Sequence, residues 1–205
     1  MAITDYASLK TAVAAWLNRD DDELVDRIPE FIALAESTLS KKLRVLDMRK
    51  TAVLAQVGGV FALPAGVVEI VNIATQNNPT VALEPITAAY VDYAAGCRQG
   101  GLPRYYSLDG DGLRVFPVNT GSLTLTYYEG IPPLSDANPT NWLLQRSPEA
   151  YLYATLMEAV PFADAGPERA NMWGPMASDA IDDLMRVNSM MVHSGQRMRL
   201  KGPTP

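Results

Sequence analysis

Residues 127–144 read YYEGIPPLSDANPTNWLL, and this stretch decides how the chain is organised. Just before it and into its start, Leu123, Leu125 and Tyr127 alternate with Thr and Tyr residues. Such alternation is typical of a half-buried strand, and two adjacent prolines at 132 and 133 cannot continue one. The stretch therefore predicts a strand that ends in a linker.

The linker leads into a helix at residues 147–153, which read SPEAYLY. Ser147 offers a side-chain oxygen to the free N–H groups of a first helical turn, and Pro148 lacks a donor where none is needed. Glu149 adds a carboxylate at the positive end of the helix dipole. We expect this helix to run from 147 to 160 and to end before Pro161.

Two amphipathic helices are predicted at the start of the chain. Thr4 can cap the first, whose apolar positions share one face until the helix ends near Asn18. The acidic stretch 20–23 reads as a solvated connection, and the second helix spans 28–46.

The middle of the chain changes to strand-like patterns. From Thr51, β-branched and aromatic residues gather in short runs separated by Gly, Asn and Asp clusters, which predicts an antiparallel β lobe. A short helix is expected within it at 87–95. The segment Asp109-Gly110-Asp111-Gly112 resembles a calcium loop only loosely, because Thr120 stands where a bidentate carboxylate is needed, so a hairpin turn is the better interpretation.

A last helix is predicted after Pro161. Its apolar stripe is interrupted by Gly174-Pro175, so the helix either kinks there or begins there. For the five methionines of this segment, a place in the protein core is favoured over a place in an interface by about three to one. They are Met172, Met176, Met185, Met190 and Met191.

Together these elements predict an α+β fold. Two N-terminal helices (1–50) and two C-terminal helices (145–192) form a helical bundle, and the β-rich lobe (51–144) is inserted between them. Residues 193–205 contain two glycines and two prolines and little apolar content, which predicts an extended tail.

Composition excludes several function classes. The chain has 205 residues, 48% of them hydrophobic, and a net charge of −6, which disfavours a protein that binds nucleic acid. No apolar run approaches the length of a membrane helix. One histidine, His193, and one cysteine, Cys97, cannot make a closed zinc site or a well-placed catalytic pair, so we expect no catalytic residues, no metal and no cofactor.

The chain resembles the head-to-tail adaptor, or connector, proteins of tailed bacteriophages, especially the short-tailed (podophage) type. The resemblance lies in the linker above and in three further blocks: 1–19 (MAITDYASLKTAVAAWLNR), 27–36 (RIPEFIALAE) and 101–106 (GLPRYY). These are features of a scaffold and not of a reaction.

The resemblance implies a structural protein of the virion neck, assembled in the host cytoplasm. Twelve copies of such proteins form a ring between the portal and the tail nozzle or tail tube. DNA passes through the ring without specific binding, and a C-terminal extension engages the portal.

Charge is segregated along the chain, and this suggests where such contacts lie. Residues 193–205 carry +3, so the remainder carries −9. A basic tail can bind nucleic acid, a membrane surface or an acidic protein groove; its interleaved apolar residues favour the groove. The expected portal-binding residues are Gln196, Arg197, Met198, Arg199, Leu200 and Lys201. The expected channel-facing residues are Asp20, Asp21, Asp22, Glu23, Asp179, Asp182 and Asp183.

Two alternative functions remain at this point. A carboxylate-dependent hydrolase on the β lobe would need two or more acids in one cleft. A small nucleic-acid-binding module would need a basic face beyond the tail.

Overall fold

The fold is α+β, as the sequence predicts, and the chain divides into two compact units. A computed structural model describes residues 2–19, 21–57, 59–76, 80–87, 89–90, 101–110, 112–118, 121–163 and 166–194. The helical unit comprises residues 1–46 and 131–205, and the β lobe comprises 47–130. The expected lobe boundary at 144 therefore differs from the observed one, because the linker belongs with the helices.

Five helices of the helical unit are described. They are α1 (Tyr6–Leu17), α2 (Asp22–Lys42), α3 (Trp142–Arg146), α4 (Pro148–Ala163) and α5 (Gly166–His193). The strongest packing joins α4 to α5 and α2 to α4, and α1 lies against both α2 and α4. The core of the helical unit includes Leu9, Val13, Ile32, Leu39 and Tyr151.

The helix ends differ from the predicted ones in several places, and α2 ends at Lys42, four residues before the predicted end at 46. The cap of α1 is Asp5 and not Thr4: its carboxylate accepts the Ser8 N–H at 2.8 Å, and Ser8 Oγ accepts the Asp5 N–H at 3.0 Å. The second helix begins at Asp22, six residues before the predicted start. Asp21, Asp22 and Glu23 were expected in a solvated connection, but they supply the cap and the first turn of α2. Carboxylates at this end of a helix stabilise its dipole.

Proline does not end the helices where the sequence predicts. Helix α4 continues past Pro161 to Ala163, and α5 runs without interruption from Gly166 through Gly174 and Pro175. The last predicted helix therefore does not begin at Gly174-Pro175, which was one of the two predicted alternatives. Trp173 is buried beside this pair, so packing outweighs the local cost of proline.

Within its described residues, the β lobe forms eight strands in two sheets. One sheet has the order β1-β8-β4 and the other the order β2-β3-β7-β6-β5. All pairs are antiparallel except β5 with β6. The strands are β1 (Arg49–Leu54), β2 (Gln56–Val57), β3 (Val60–Ala62), β4 (Val67–Thr75), β5 (Glu84–Pro85), β6 (Tyr105–Asp109), β7 (Gly112–Phe116) and β8 (Leu123–Glu129).

Strand β8 confirms the predicted alternation of buried and partly exposed residues. Leu123, Leu125 and Tyr127 are buried in the lobe core, and the residues between them are half-buried. The hairpin predicted at 109–112 is also confirmed, with Asp109 paired to Gly112 and a positive φ of 58° at Gly110. The helix predicted at 87–95 lies largely outside the described residues.

Candidate functional site

The linker that follows β8 is fastened to three helices of the helical unit. We call residues 131–141 the strap. Ser40 Oγ of α2 accepts a hydrogen bond from the Ile131 N–H at 3.0 Å. The Pro139 carbonyl oxygen accepts a hydrogen bond from the Tyr6 N–H of α1 at 2.8 Å. At its end, Asn141 caps α3 by accepting the Leu144 N–H at 2.9 Å. The strap is therefore part of the folded scaffold and not a free connection.

A buried polar cluster holds the middle of the strap. Glu36 Oε1 accepts the Leu134 N–H and the Tyr151 hydroxyl, both at 2.8 Å. Asn141 Nδ2 donates to the Tyr151 hydroxyl and to the Pro132 carbonyl, both at 2.7 Å. The cluster therefore joins α2, α4 and the strap across separations of about a hundred residues in the sequence.

Electrostatics explain how this cluster remains ordered. Burial raises the pKa of Glu36, while the hydrogen bonds from Leu134 and Tyr151 act in the opposite direction. Burial, followed by the charge of Glu36, also raises the pKa of Tyr151, so its hydroxyl keeps its proton and remains a donor. Because Tyr151 is fully buried and its hydroxyl both donates and accepts within the cluster, these groups hold the scaffold together.

The first group of expected channel-facing acids lies at the start of α2. Asp21 caps this helix and forms a bidentate pair with Arg19, at 2.8 and 2.9 Å, which lowers the pKa of Asp21. Asp22 and Glu23 are exposed in the first turn. Asp20 lies outside the described residues.

The second group lies on α5. Asp179, Asp182 and Asp183 are all exposed, and spacings of three and four residues place them along one side of the helix. Asp183 pairs with Arg186 at 2.9 Å. Arg169, near the start of α5, donates to the Leu17 carbonyl at the end of α1 at 3.1 Å. Because an α-helix rises 1.5 Å per residue, these three aspartates lie about 15–20 Å farther along α5 than Arg169 does.

The expected portal-binding residues, Gln196 to Lys201, lie outside the described part of the chain, as does Cys97. His193 is exposed at the last turn of α5. Among the described residues, no three His, Cys, Asp or Glu side chains meet in a way that could hold a metal ion. None of the helices within those residues is long and apolar enough to span a membrane.

The methionines of α5 correct one interpretation of the sequence. Met172, Met185, Met190 and Met191 are exposed, so their assignment to the core is wrong in this subunit. The core positions of α5 are Trp173, Ala177, Ala180, Ile181 and Leu184. The sequence also permits an interface role for these methionines, but helical periodicity alone does not show where the covering helices end.

Comparison with known proteins assigns this scaffold to a class. The family model described as "SU10 adaptor protein" matches residues 4–199. Since this match covers nearly the whole chain, the chain belongs to the SU10 adaptor protein family, a structural family of phage adaptor proteins. A search of curated proteins finds no match.

Proposed function

We propose that this protein forms a ring in the virion neck of a short-tailed phage, between the portal and the tail nozzle or tail tube. The ring contains twelve copies, is assembled in the host cytoplasm and continues the DNA channel. The observation that carries this proposal is the family match over residues 4–199. The resemblance in the strap, the N-terminal helices and residues 101–106 supports the podophage type and the twelvefold ring.

A closed ring of identical subunits needs one face of each copy to contact a different face of the next. The helical unit offers a connected body for this purpose, because the Glu36–Asn141–Tyr151 cluster joins α2, α4 and the strap. A body held together in this way would fix the angle between neighbours, and that angle decides whether the ring closes.

The channel wall is acidic in this proposal, so that sliding DNA does not adhere to it. Its acids are the group at the start of α2 and the group on α5, which together line the channel at two heights. Asp22, Glu23, Asp179 and Asp182 have exposed carboxylates, which suits this role. DNA therefore passes without specific binding.

The tail from His193 leaves its own subunit and docks on the portal. Its sequence, Gln196 to Lys201, alternates Arg and Lys with Met and Leu, which suits an acidic groove with shallow apolar pockets. Each tail binds weakly, but all copies of a ring engage together, so the ring binds tightly.

The hydrolase alternative has little support in the β lobe. One cavity in the described part of the lobe, of about 780 Å³, is lined by residues from 63–70 and by Tyr106, Leu108 and Gly110. Glu69 is the one carboxylate among these lining residues, whereas a hydrolase needs two acids to converge. We therefore expect no turnover, and incubation with peptide, ester and glycoside substrates tests this directly.

Truncation after Val192 tests the docking role. The truncated chain should fold, since its core residues are all retained, but it should not attach to portal-bearing heads. Sedimentation of heads with bound adaptor measures attachment, and the far-ultraviolet circular dichroism spectrum checks folding. Attachment of the truncated chain with unchanged affinity at moderate salt would contradict the proposal.

A further inference from the structure

The cavity of about 780 Å³ in the β lobe, which we call the lobe cavity, lies along the first half of strand β4. This strand comes last in the order β1-β8-β4, so its outer edge is an edge of the sheet. The second half of that edge is occupied, because the Ile73 carbonyl accepts the Leu83 N–H at 2.8 Å. The first half, residues 67–70, lines the cavity instead.

Main-chain groups contribute polar surface to the lobe cavity. Among its lining residues, only Glu69 and Tyr106 have polar side-chain atoms. A β-bulge leaves Val68 without a partner in the ladder with β8, because the register shifts between Val67 and Glu69. Main-chain groups along a strand edge, with pockets beside them, bind protein segments in an extended conformation. The bulge interrupts regular pairing, so the segment that fits here is short.

Apolar side chains form the walls of the lobe cavity. Leu63, Val67, Ile70 and Tyr106 pack against the lobe core on one side and are only partly buried. Leu108 is 51% exposed at the opposite wall. Partly exposed apolar side chains that converge in a concave site are typical of a binding surface.

Acidic residues surround the lobe cavity. Glu69 lines it, and Glu129 Cγ lies 3.8 Å from the position of a Cβ atom on the lining residue Gly66. Asp109 is flanked in the sequence by two lining residues and pairs with Arg114 at 3.7 Å. Three carboxylates and one guanidinium leave an excess of negative charge at this site. Charge complementarity therefore favours a partner segment that carries Lys or Arg beside its apolar residues.

We propose that the lobe cavity binds a short extended segment of a phage tail protein, in which apolar side chains alternate with Lys or Arg. This inference rests on the proposed function, because a ring between portal and tail needs a second docking surface besides the C-terminal tail that binds the portal. The apolar side chains of the segment enter the cavity beside Leu108, and its main chain bonds to β4 near Val68. Its basic side chains lie beside Glu69 and Glu129.

Two substitutions in the full chain separate the apolar contribution from that of charge. Leu108→Gln removes exposed apolar surface, and Glu69→Gln removes a charge while preserving shape. The matched controls are Leu102→Gln and Glu84→Gln in the same lobe. Leu102 is 49% exposed, Glu84 is exposed, and neither lines the cavity. Because all four side chains are exposed, thermal unfolding followed by circular dichroism should match that of the wild type.

Portal-bearing heads are saturated with each variant and then titrated with the purified tail nozzle or tail-tube protein at low and high salt. Every variant should attach to the heads as the wild type does, because the C-terminal tail is unchanged. Leu108→Gln should bind the tail protein roughly threefold to tenfold more weakly at both salt concentrations. Glu69→Gln should weaken binding only at low salt, because high salt screens charge attraction. Both controls should bind as the wild type does.

The outcomes distinguish this inference from the proposed function. Normal binding of the tail protein to both cavity variants, or equal losses for the cavity variants and their controls, would overturn the inference and leave portal docking intact. Loss of attachment to the heads would assign the cavity to the portal, and loss of ring assembly without other proteins would assign it to a neighbouring copy; either result overturns the inference. If the wild type does not attach to heads, the proposed function fails, and the inference that rests on it fails too.

Discussion

Replacing Tyr151 by phenylalanine should weaken the helical unit, because the change removes one buried oxygen atom that makes two hydrogen bonds. The hydroxyl donates to Glu36 Oε1 at 2.8 Å and accepts from Asn141 Nδ2 at 2.7 Å, and Tyr151 has no exposed surface. A hydrogen bond to a charged group contributes about 1.5–3 kcal/mol, and a buried partner left unpaired adds to the loss. Asn141 keeps its bond to Pro132, so we expect the free energy of unfolding to fall by about 2–3 kcal/mol.

Urea unfolding followed by tryptophan fluorescence measures this change in the correct part of the chain. All three tryptophans, Trp16, Trp142 and Trp173, belong to the helical unit, so their signal reports that unit. The midpoint should shift without a change in the slope of the transition.

The matched control is Tyr153→Phe, two residues away on the same helix. Tyr153 is half-buried, and its ring meets Trp16 edge to face with centroids 5.7 Å apart, a contact that phenylalanine preserves. Its loss should stay below about 0.5 kcal/mol. A loss for Tyr151→Phe no larger than that of the control would refute the view that the cluster holds the strap.

Three further substitutions test other parts of the structure. Burial raises the pKa of Glu36, so the Glu36 carboxyl keeps its proton in the folded chain at pH values where the unfolded chain has released it. The free energy of unfolding should therefore fall as pH rises from about 4.3 through the raised pKa. Urea titrations at several pH values measure this slope, and E36Q should remove it. Gly112→Ala should destabilise the β lobe by about 1–3 kcal/mol in calorimetry, because the added methyl group would collide with Val60 Cγ1. The control is Gly110→Ala, where the added methyl group meets no neighbouring atom and only the positive φ of Gly110 adds a cost. Asp5→Ala should cost about 1 kcal/mol through loss of the Ser8 capping bond, and Asp5→Asn should restore most of it in the same assay.

Local patterns in the sequence predict most of the elements. The alternation at Leu123, Leu125 and Tyr127 predicts β8 because a strand with one buried face must alternate. The end of α1 at Leu17, with Asn18 in the left-handed conformation, follows from the same reasoning about helix ends.

Other features could not be read from local signals because packing overrides them. Pro29, Pro161 and Pro175 each lie inside a helix, although proline alone predicts a break. The bond between Glu36 and Leu134 joins residues 98 positions apart, so the sequence shows a linker but not the partner that fastens it. The exposure of Met190 and Met191 could not be predicted for a similar reason, since periodicity marks an apolar stripe whether or not another helix covers it.

Electron microscopy of the purified protein mixed with the portal of its own phage tests whether the protein forms a ring on the portal. We expect closed rings of twelve copies, coaxial with the portal and bound to one of its ends, and no such rings when the chain is truncated after Val192. Unbound portals, or single copies scattered over the portal surface without rotational symmetry, would contradict it.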